Sequence, residues 1–197
     1  MSDPSSSGPR PAHGPSSASG EGRSSGHIVV LTTVPAAIEV CYAVAADLEA
    51  YPEWAPSVTS VTVDERDDQG RPLRATFTAA DIGHQVAYQL AYDHRGAPDR
   101  LAWSLVHGDL PSRLDGSYRF EPAQDDPWAT DVTYELDVEL VIPLPGYVRR
   151  RLEDRVLQTA LTRFGNRAVA RASAGDGPDR DGTGEPPVPS PPRIHRW

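Results

Sequence analysis

The sequence predicts an α+β fold in which a curved, seven-stranded antiparallel sheet wraps around one long C-terminal helix, with two short helices after the first strand. Two features of the sequence carry this prediction. Between residues 58 and 140, six segments alternate apolar and polar side chains with a period of two, as half-buried strands do. From residue 145 to 172, apolar side chains instead recur every four positions, which indicates an amphipathic helix. The apolar stripe of this helix must lie on the apolar face of the sheet.

The two ends of the chain differ in composition from the rest. Residues 1–26 and 173–197 hold half of the twenty prolines and contain few apolar side chains. Such segments cannot bury enough apolar surface to offset the entropy that is lost on ordering. We therefore expect two disordered tails and one domain at residues 27–172, which is long enough for one hydrophobic core.

The domain is predicted to begin with a strand and two short helices. Residues 27–34 are mostly β-branched or apolar, and Pro35 follows where the first turn of a helix tolerates proline. The next apolar side chains stand at helical spacing: Ile38, Cys41, Tyr42 and Ala45. Residues 47–56 are interrupted by proline and predict a short second helix, which carries Tyr51 and Trp54.

Six more strands are predicted after these helices. The last has the clearest pattern, with an apolar side chain at every second position from Val132 to Leu140. Because short turns join them, the strands should form an antiparallel meander with one face in water. Their predicted ranges are 58–65, 73–79, 86–92, 101–107, 113–120 and 132–140.

The long helix is predicted over residues 145–172. Gly165 is its only weak point, since glycine disfavours the interior of a helix. Its other face is rich in arginine. The apolar stripe consists of Val148, Leu152, Val156, Leu157, Ala160, Leu161, Phe164 and Ala168.

Charge is distributed unevenly along the chain. The formal net charge is −9. Residues 27–144 carry seven Arg against twenty Asp and Glu, whereas residues 145–172 carry seven Arg against two acidic residues. An acidic body argues against nucleic-acid binding by the domain. The arginine-rich helix is either a solvated face that offsets the acidic sheet or a peripheral contact for a membrane or another anionic partner.

The sequence shows no secretion signal and no apolar run of membrane-spanning length, so we expect a cytoplasmic protein.

The single cysteine, Cys41, is predicted to be a packed thiol. His107 follows Trp103 and Leu105 at every second position, so it is predicted to point inward with them and is a candidate cavity residue. The alternative interpretation is a histidine in the turn beside Gly108. The histidines show no metal-ligand spacing, and we predict no metal site and no cofactor.

Several stretches resemble the START-like helix-grip superfamily (SRPBCC). The resemblance is greatest to the bacterial polyketide cyclase/dehydrase and lipid-transport group, which includes the coenzyme Q-binding START-type proteins, and it covers about residues 27–172. The stretches that carry it are Ala-Asp-Leu-Glu-Ala-Tyr-Pro-Glu-Trp at 46–54, Trp-Ser-Leu-Val-His-Gly-Asp at 103–109, Leu-Asp-Gly-Ser-Tyr-Arg-Phe at 114–120 and Ile-Pro-Leu-Pro-Gly at 142–146.

The resemblance implies a cavity between the sheet and the long helix that takes a lipid, sterol, isoprenoid quinone or polyketide. Tyr51 and Trp54 would stand near its mouth. The strands would line it with Phe77, Tyr88, Tyr92, Trp103, Tyr118 and Tyr134, and the helix would roof it with Leu152, Val156 and Phe164. The other interpretation of these side chains is a filled core.

Aromatic-polyketide cyclases of this fold are similar in outline, but they keep a tyrosine just after the second helix and an arginine on a middle strand. The nearest positions in this chain are Val58 and Tyr92, which is a departure from the cyclase pattern. No acid–base pair is evident on the predicted inner face, so general acid–base catalysis has no obvious agent and no catalytic residue is identified.

Three functions fit the sequence. The first, which we expect, is binding or carriage of a hydrophobic small molecule without catalysis. The second is a polyketide cyclase, aromatase or dehydratase, which would require groups such as Tyr88, Tyr92, Arg74 or His107 to meet in one cavity. The third is a ribosome- or protein-interacting module, because some START-like relatives resemble ribosome-associated toxins and the long helix is rich in arginine.

Overall fold

We analysed a computed structural model of the chain. It describes residues 24–81, 84–141, 146–175, 189 and 192–196. Within these ranges the side chains are described except those of residues 24, 81, 84, 146–158, 175 and 194–196.

The described residues form eight strands, three α-helices and one 3-10 turn. In chain order they are β1 (Ser24–Val34), α1 (Ile38–Ala46), a 3-10 turn (Leu48–Ala50), α2 (Tyr51–Trp54), β2 (Val58–Arg66), β3 (Pro72–Asp81), β4 (His84–Asp93), β5 (Arg100–Gly108), β6 (Pro111–Pro122), β7 (Thr130–Leu140), α3 (Gly146–Gly175) and β8 (Arg193–Arg196).

All strands belong to one antiparallel sheet. Its order is β2-β3-β4-β5-β6-β7-β1-β8. The seven strands β1 to β7 confirm the predicted sheet, and α1, α2 and α3 confirm the two short helices and the long one. The first strand begins at Ser24 rather than at residue 27, and α3 extends to Gly175.

The eighth strand was not predicted. Arg193–Arg196 pairs with β1, so that Leu31 lies opposite Arg193 and Ile28 lies opposite Arg196. The proline-rich composition of residues 173–197 predicts a disordered tail here and no strand. The pairing has a simple physical reason: without β8, the outer edge of β1 would present unpaired backbone N–H and C=O groups.

The core lies between the concave face of the sheet and the helices. On β1 the inward side chains Ile28, Val30 and Val34 are buried, and α1 buries Cys41 and Val44 against them. This alternation on β1 and the helical spacing on α1 agree with the periods read from the sequence.

A hydrogen-bonded chain of side chains joins α1 to the sheet. His94 is buried, and its Nε2 donates to the carbonyl oxygen of Pro72 over 2.7 Å, since a carbonyl can only accept. In the neutral ring, Nδ1 then accepts the hydroxyl proton of Tyr42 over 2.6 Å. The Tyr42 ring also lies edge-on to Phe120, with 6.3 Å between the ring centroids. These contacts fix the orientation of α1 on the sheet.

The helix α3 is held by its own apolar stripe. In the part of α3 whose side chains are described, Leu161, Phe164, Ala168 and Val169 are buried. Phe164 has no exposed surface and lies between Trp54 of α2 and Tyr118 of β6, with ring centroids 5.8 and 5.7 Å away. The predicted stripe therefore packs on the sheet as expected over residues 160–168.

Gly165 accommodates the C-terminal segment. A Cβ atom at this position would lie 3.0 and 3.1 Å from the Cβ and Cγ of Pro189, and 3.6 Å from Cγ2 of Val34. The glycine that weakens α3 thus lets the chain cross the helix closely before it reaches β8. The C-terminal segment is tied to the domain at two places, on α3 and on the edge of β1.

A double-mutant cycle tests the contact between Gly165 and Pro189. In an otherwise unchanged helix, Gly165→Ala should stabilise the protein by about 1 kcal/mol through helix propensity. With Pro189 in place, the close approach should cancel most of this gain, and in the Pro189→Gly background the gain should reappear. The free energy of unfolding in urea, measured for all four proteins, checks the coupling. An equal gain in both backgrounds would show that Pro189 does not pack on α3.

Candidate functional site

A cavity of about 230 Å³ lies between the concave face of the sheet and the helices α2 and α3. Its walls come from α2 and the start of β2, from the middle strands β3 to β7, and from α3. The described residues that line it are Tyr51, Trp54, Ala55, Ser57, Val58, Phe77, Tyr88, Leu90, Tyr92, Trp103, Leu114, Tyr118, Tyr134, Leu136, Ala160 and Leu161.

The strand register explains why so many aromatic side chains meet in one cavity. Residues directly opposite each other on antiparallel strands point to the same face of the sheet. Phe77 is opposite Tyr88, and their rings are parallel with 5.4 Å between centroids. Tyr118 is opposite Tyr134, with 5.0 Å between centroids. Inward aromatics on neighbouring strands therefore form a continuous wall.

Trp103 occupies the centre of this wall because a glycine lies opposite it. Trp103 on β5 is paired with Gly116 on β6, and its ring is 5.6 Å from Tyr134 between centroids. A Cβ atom on Gly116 would lie 2.9 Å from Cε2 of Trp103 and still closer to Cζ2 and to the carbonyl oxygen of Glu135. The indole thus fills the space where a side chain at position 116 would be.

Most of the predicted cavity residues border the cavity. The eight that do are Tyr51, Trp54, Phe77, Tyr88, Tyr92, Trp103, Tyr118 and Tyr134. Phe164 does not line it, because this ring is fully enclosed between Trp54 and Tyr118. The side chains of Leu152 and Val156 lie outside the described residues.

The expectation that His107 points inward is wrong. A bulge in the pairing of β4 with β5 places Leu105 opposite Leu90 but His107 opposite Gln89. The bulge inserts one residue and so reverses the alternation beyond it. Gln89 hydrogen-bonds Asp64 on the convex face, and the exposed His107 lies on that same face.

Several lining residues were not singled out from the sequence. Leu90, Leu114 and Leu136 continue the alternation of the predicted tyrosines, so the pattern already contained the signal for them. Ala160 and Leu161 belong to the predicted helix stripe. Further lining residues, Ala55, Ser57 and Val58, lie where α2 ends and β2 begins, and no periodicity marks that connection.

Five of the polar side chains that line the cavity are phenols, and the others are Ser57 and the indoles of Trp54 and Trp103. Among the described lining residues there is no carboxylate, guanidinium or imidazole. Burial raises the pKa of Tyr88 to about 12 and also raises the pKa of Tyr134. The pKa values of Tyr51, Tyr92 and Tyr118 lie well above the ordinary value, again chiefly because burial disfavours the phenolate. These side chains are therefore neutral at physiological pH.

Two polar atoms near α2 differ in their hydrogen bonding. The hydroxyl of Tyr51 donates to the carbonyl oxygen of Ala45 over 2.9 Å, which fixes the ring at the cavity wall. The indole Nε1 of Trp54 is fully buried and has no hydrogen-bond partner among the residues that the structure describes. A buried donor without an acceptor is costly and is rare in native proteins.

Ion pairs join α3 to the segment that carries α2. Arg167 pairs with Glu53, and Asp47 lies 3.9 Å from Arg167 and 3.5 Å from Arg171. Because these side chains are partly exposed, each pair contributes at most about 1 kcal/mol to stability. At least part of the arginine-rich face thus offsets acidic groups of the same domain.

Within the described ranges, no three His, Cys, Asp or Glu side chains come together as a metal site would require. Among the residues that the structure describes, no helix is both long and apolar enough to cross a lipid bilayer.

A cavity between a curved antiparallel sheet and a C-terminal helix defines the helix-grip class of ligand-cavity folds. The chain belongs to the polyketide cyclase/dehydrase and lipid-transport family, whose family model matches residues 34–165. This confirms the family resemblance seen in the sequence. A search of curated proteins gave no match.

Solved structures show the same fold. A START superfamily protein from Mycobacterium smegmatis is 23% identical, covers 77% of this chain and 100% of its own, and has a TM-score of 0.62. The Zhui aromatase/cyclase from a Streptomyces species is 15% identical, with 76% and 94% covered and a TM-score of 0.57. A STAR-related lipid transfer protein from Xanthomonas axonopodis is 16% identical, with 70% and 82% covered and a TM-score of 0.54.

Gly116→Ala tests the packing of Trp103. The added methyl group would overlap the indole and a backbone oxygen that cannot move freely, so we expect a loss of about 1–3 kcal/mol in the free energy of unfolding. Urea denaturation checks this value. A variant as stable as the wild type would show that the indole does not lie over position 116.

The pKa of Tyr88 predicts an alkaline loss of stability. Its folded pKa of about 12 exceeds the ordinary value of 10.0, so the stabilisation from the neutral phenol is complete below pH 10 and is lost as the pH rises toward 12. From about pH 9 to about pH 11 this tyrosine alone should cost the wild type about 1.4 kcal/mol. Tyr88→Phe should lose less stability than the wild type over the same range. Equal losses in urea denaturation at the two pH values would contradict the buried position of the hydroxyl.

Proposed function

We propose that this protein binds and carries a hydrophobic small molecule in the cavity between its sheet and α3, without transforming it. The observation that carries the proposal is the lining itself: apolar and aromatic walls, neutral phenols, and no charged group among the described lining residues. Concave, mostly apolar sites with a few polar groups are the usual form of small-molecule sites. The lipid-transport part of the family description and the likeness to a lipid transfer protein support the same reading.

The size of the cavity favours a compact ligand. At about 230 Å³ it falls below the roughly 300–1,000 Å³ that is common for drug-sized ligands. It suits a molecule of two or three fused rings, or one segment of a longer isoprenoid or polyketide chain. Trp103 contributes to this limit because its ring projects over Gly116 into the middle of the site.

The positions of the candidate acid–base groups favour a carrier over an enzyme. Tyr88 and Tyr92 line the cavity. Arg74, however, is exposed and pairs with Glu65, and His107 is exposed on the convex face. The four groups that an enzyme hypothesis would bring together are thus divided between the two faces of the sheet. A general acid or base with a pKa near neutrality is not among the described lining residues.

A cyclase, aromatase or dehydratase is the second candidate. One observation favours it: besides Tyr51, whose hydroxyl donates to Ala45, four phenols line the cavity and could donate hydrogen bonds to the carbonyl oxygens of a polyketide-like chain. The family description includes cyclases and dehydrases, and one protein of similar fold is an aromatase/cyclase. Turnover of a polyketide-like substrate that is lost on Tyr92→Phe would establish this function in place of carriage.

A pair of matched helix variants tests the proposed cavity. Ala160 lines it, and Ala160→Phe should fill part of the space, whereas Ala170 is exposed on the same helix and Ala170→Phe should not. With naphthalene-based probes in a thermal-shift and calorimetric assay, we expect binding by the wild type and by Ala170→Phe. Binding should weaken about tenfold or more in Ala160→Phe.

Native mass spectrometry of protein purified from its host gives the complementary measurement. A bound apolar molecule should be present in the wild type and depleted in Ala160→Phe. Equal binding by Ala160→Phe and Ala170→Phe would place the ligand elsewhere. Failure of a broad panel of apolar compounds to bind the wild type would contradict the proposed function.

A further inference from the structure

The polar side chains of the described cavity lining are all uncharged. They are tyrosine hydroxyls, the hydroxyl of Ser57 and the indole N–H groups of Trp54 and Trp103, and no carboxylate is present among them that could pair with a cation. The described lining also contains no arginine or histidine to pair with an anion. A charged ligand would lose its hydration without gaining an ionic partner. The lining therefore suits a neutral molecule.

The indole N–H of Trp54 is the donor in the cavity wall that most needs an acceptor from a ligand. Its side chain is 3% exposed, it lines the cavity, and its Nε1 has no partner among the described residues. The nearest ring is that of Tyr51, with 4.3 Å between the centroids. The Tyr51 hydroxyl donates to the carbonyl oxygen of Ala45, and its oxygen does not accept a hydrogen bond from Nε1 of Trp54.

We propose that the ligand is a neutral, compact aromatic molecule whose carbonyl or ether oxygen accepts a hydrogen bond from Nε1 of Trp54. This inference rests on the proposed function and specifies its ligand class. Trp54 is then a specificity-determining residue that selects acceptor-bearing ligands over plain hydrocarbons of the same shape. The selection arises because a hydrocarbon leaves the buried N–H without an acceptor, whereas a ketone satisfies it.

The aromatic body of the ligand is favoured by the rest of the wall. The rings of Phe77 and Tyr88 are parallel, and those of Tyr92 and Trp103 lie beside them in the same cavity. Flat aromatic surfaces pack well against such rings in offset or edge-on arrangements. The oxygen would be held at the α2 end of the cavity and the ring system against β3, β4 and β5.

Two probes of nearly equal shape test the inference. Acetylnaphthalene carries a ketone, and isopropenylnaphthalene, substituted at the same ring position, carries a methylene group in place of the oxygen. Isothermal titration calorimetry would give the affinity ratio of the two probes for each protein. For the wild type we expect the ketone to bind about tenfold more tightly or better.

The protein variants identify the donor. Trp54→Phe keeps an aromatic ring but lacks the N–H, so its affinity ratio should fall close to one. Trp128 is 81% exposed, and Trp128→Phe should keep the ratio of the wild type. Since each ratio compares two probes in the same protein, space left by the smaller phenylalanine affects both probes alike. Thermal unfolding of Trp54→Phe confirms that the variant is folded.

The outcomes separate the two proposals. If both probes bind the wild type equally, or if Trp54→Phe keeps the full preference for the ketone, the role of Trp54 is wrong while the cavity still binds ligands. Equal binding of both probes would fit an Nε1–H that donates to the ring face of Phe164, whose centroid lies 5.8 Å from that of Trp54. If neither probe nor any other apolar compound binds, the proposed function fails and this inference fails with it.

Discussion

The packing of Phe164 between Trp54 and Tyr118 is the contact on which the rest of the structure depends. One ring of α3 touches the short helix α2 on one side and the middle of the sheet on the other. Full burial of a phenylalanine contributes about 1.5–3 kcal/mol before entropy is counted. More importantly, the contact sets the distance between α3 and the sheet. Ala160 lies four residues earlier on the same helix. The cavity exists because this alanine is too small to fill the space between α3 and the sheet, as Phe164 does one turn later.

Large, rigid rings explain why this interior is hollow and not filled. Leucine and methionine can adjust their rotamers to close a gap, whereas tyrosine and tryptophan keep a fixed shape. Across β3 to β7 the wall consists mainly of such rings, and Trp103 is accommodated only because Gly116 has no side chain. The rings support each other at centroid distances of 5.0–6.5 Å and project toward α3, whose described lining residues are Ala160 and Leu161. A cavity with firm walls is the outcome, and firm walls reduce the ordering cost of binding.

The sheet and the long helix could be predicted from the sequence because alternation with period two or 3.6 is visible in one dimension. The eight residues that border the cavity were implied by the family resemblance and not by periodicity. The sequence could not reveal where the alternation breaks. His107 was misplaced by a single bulge, in which Val106 is the extra residue on β5, and the alternating sequence of that strand does not mark the position. The resemblance implied that Phe164 roofs the cavity, but its side chain lies in the core, because a position matched to a family does not give the depth of a side chain. The pairing of Arg193–Arg196 with β1 depends on an open edge far away in the chain, which a local pattern does not encode.

The direction of the tyrosine pKa values bears on the choice between holding a ligand and transforming it. A general acid or base works best when its pKa is close to the pH at which the protein operates. Burial moves the pKa values of the cavity phenols away from neutrality, to about 12 for Tyr88 and well above the ordinary value for Tyr92. At physiological pH these groups can donate hydrogen bonds but cannot accept a proton from a substrate carbon. Burial thus keeps the pKa values of these phenols farther from the neutral range in which a side chain abstracts protons efficiently, which agrees with the proposed role in binding.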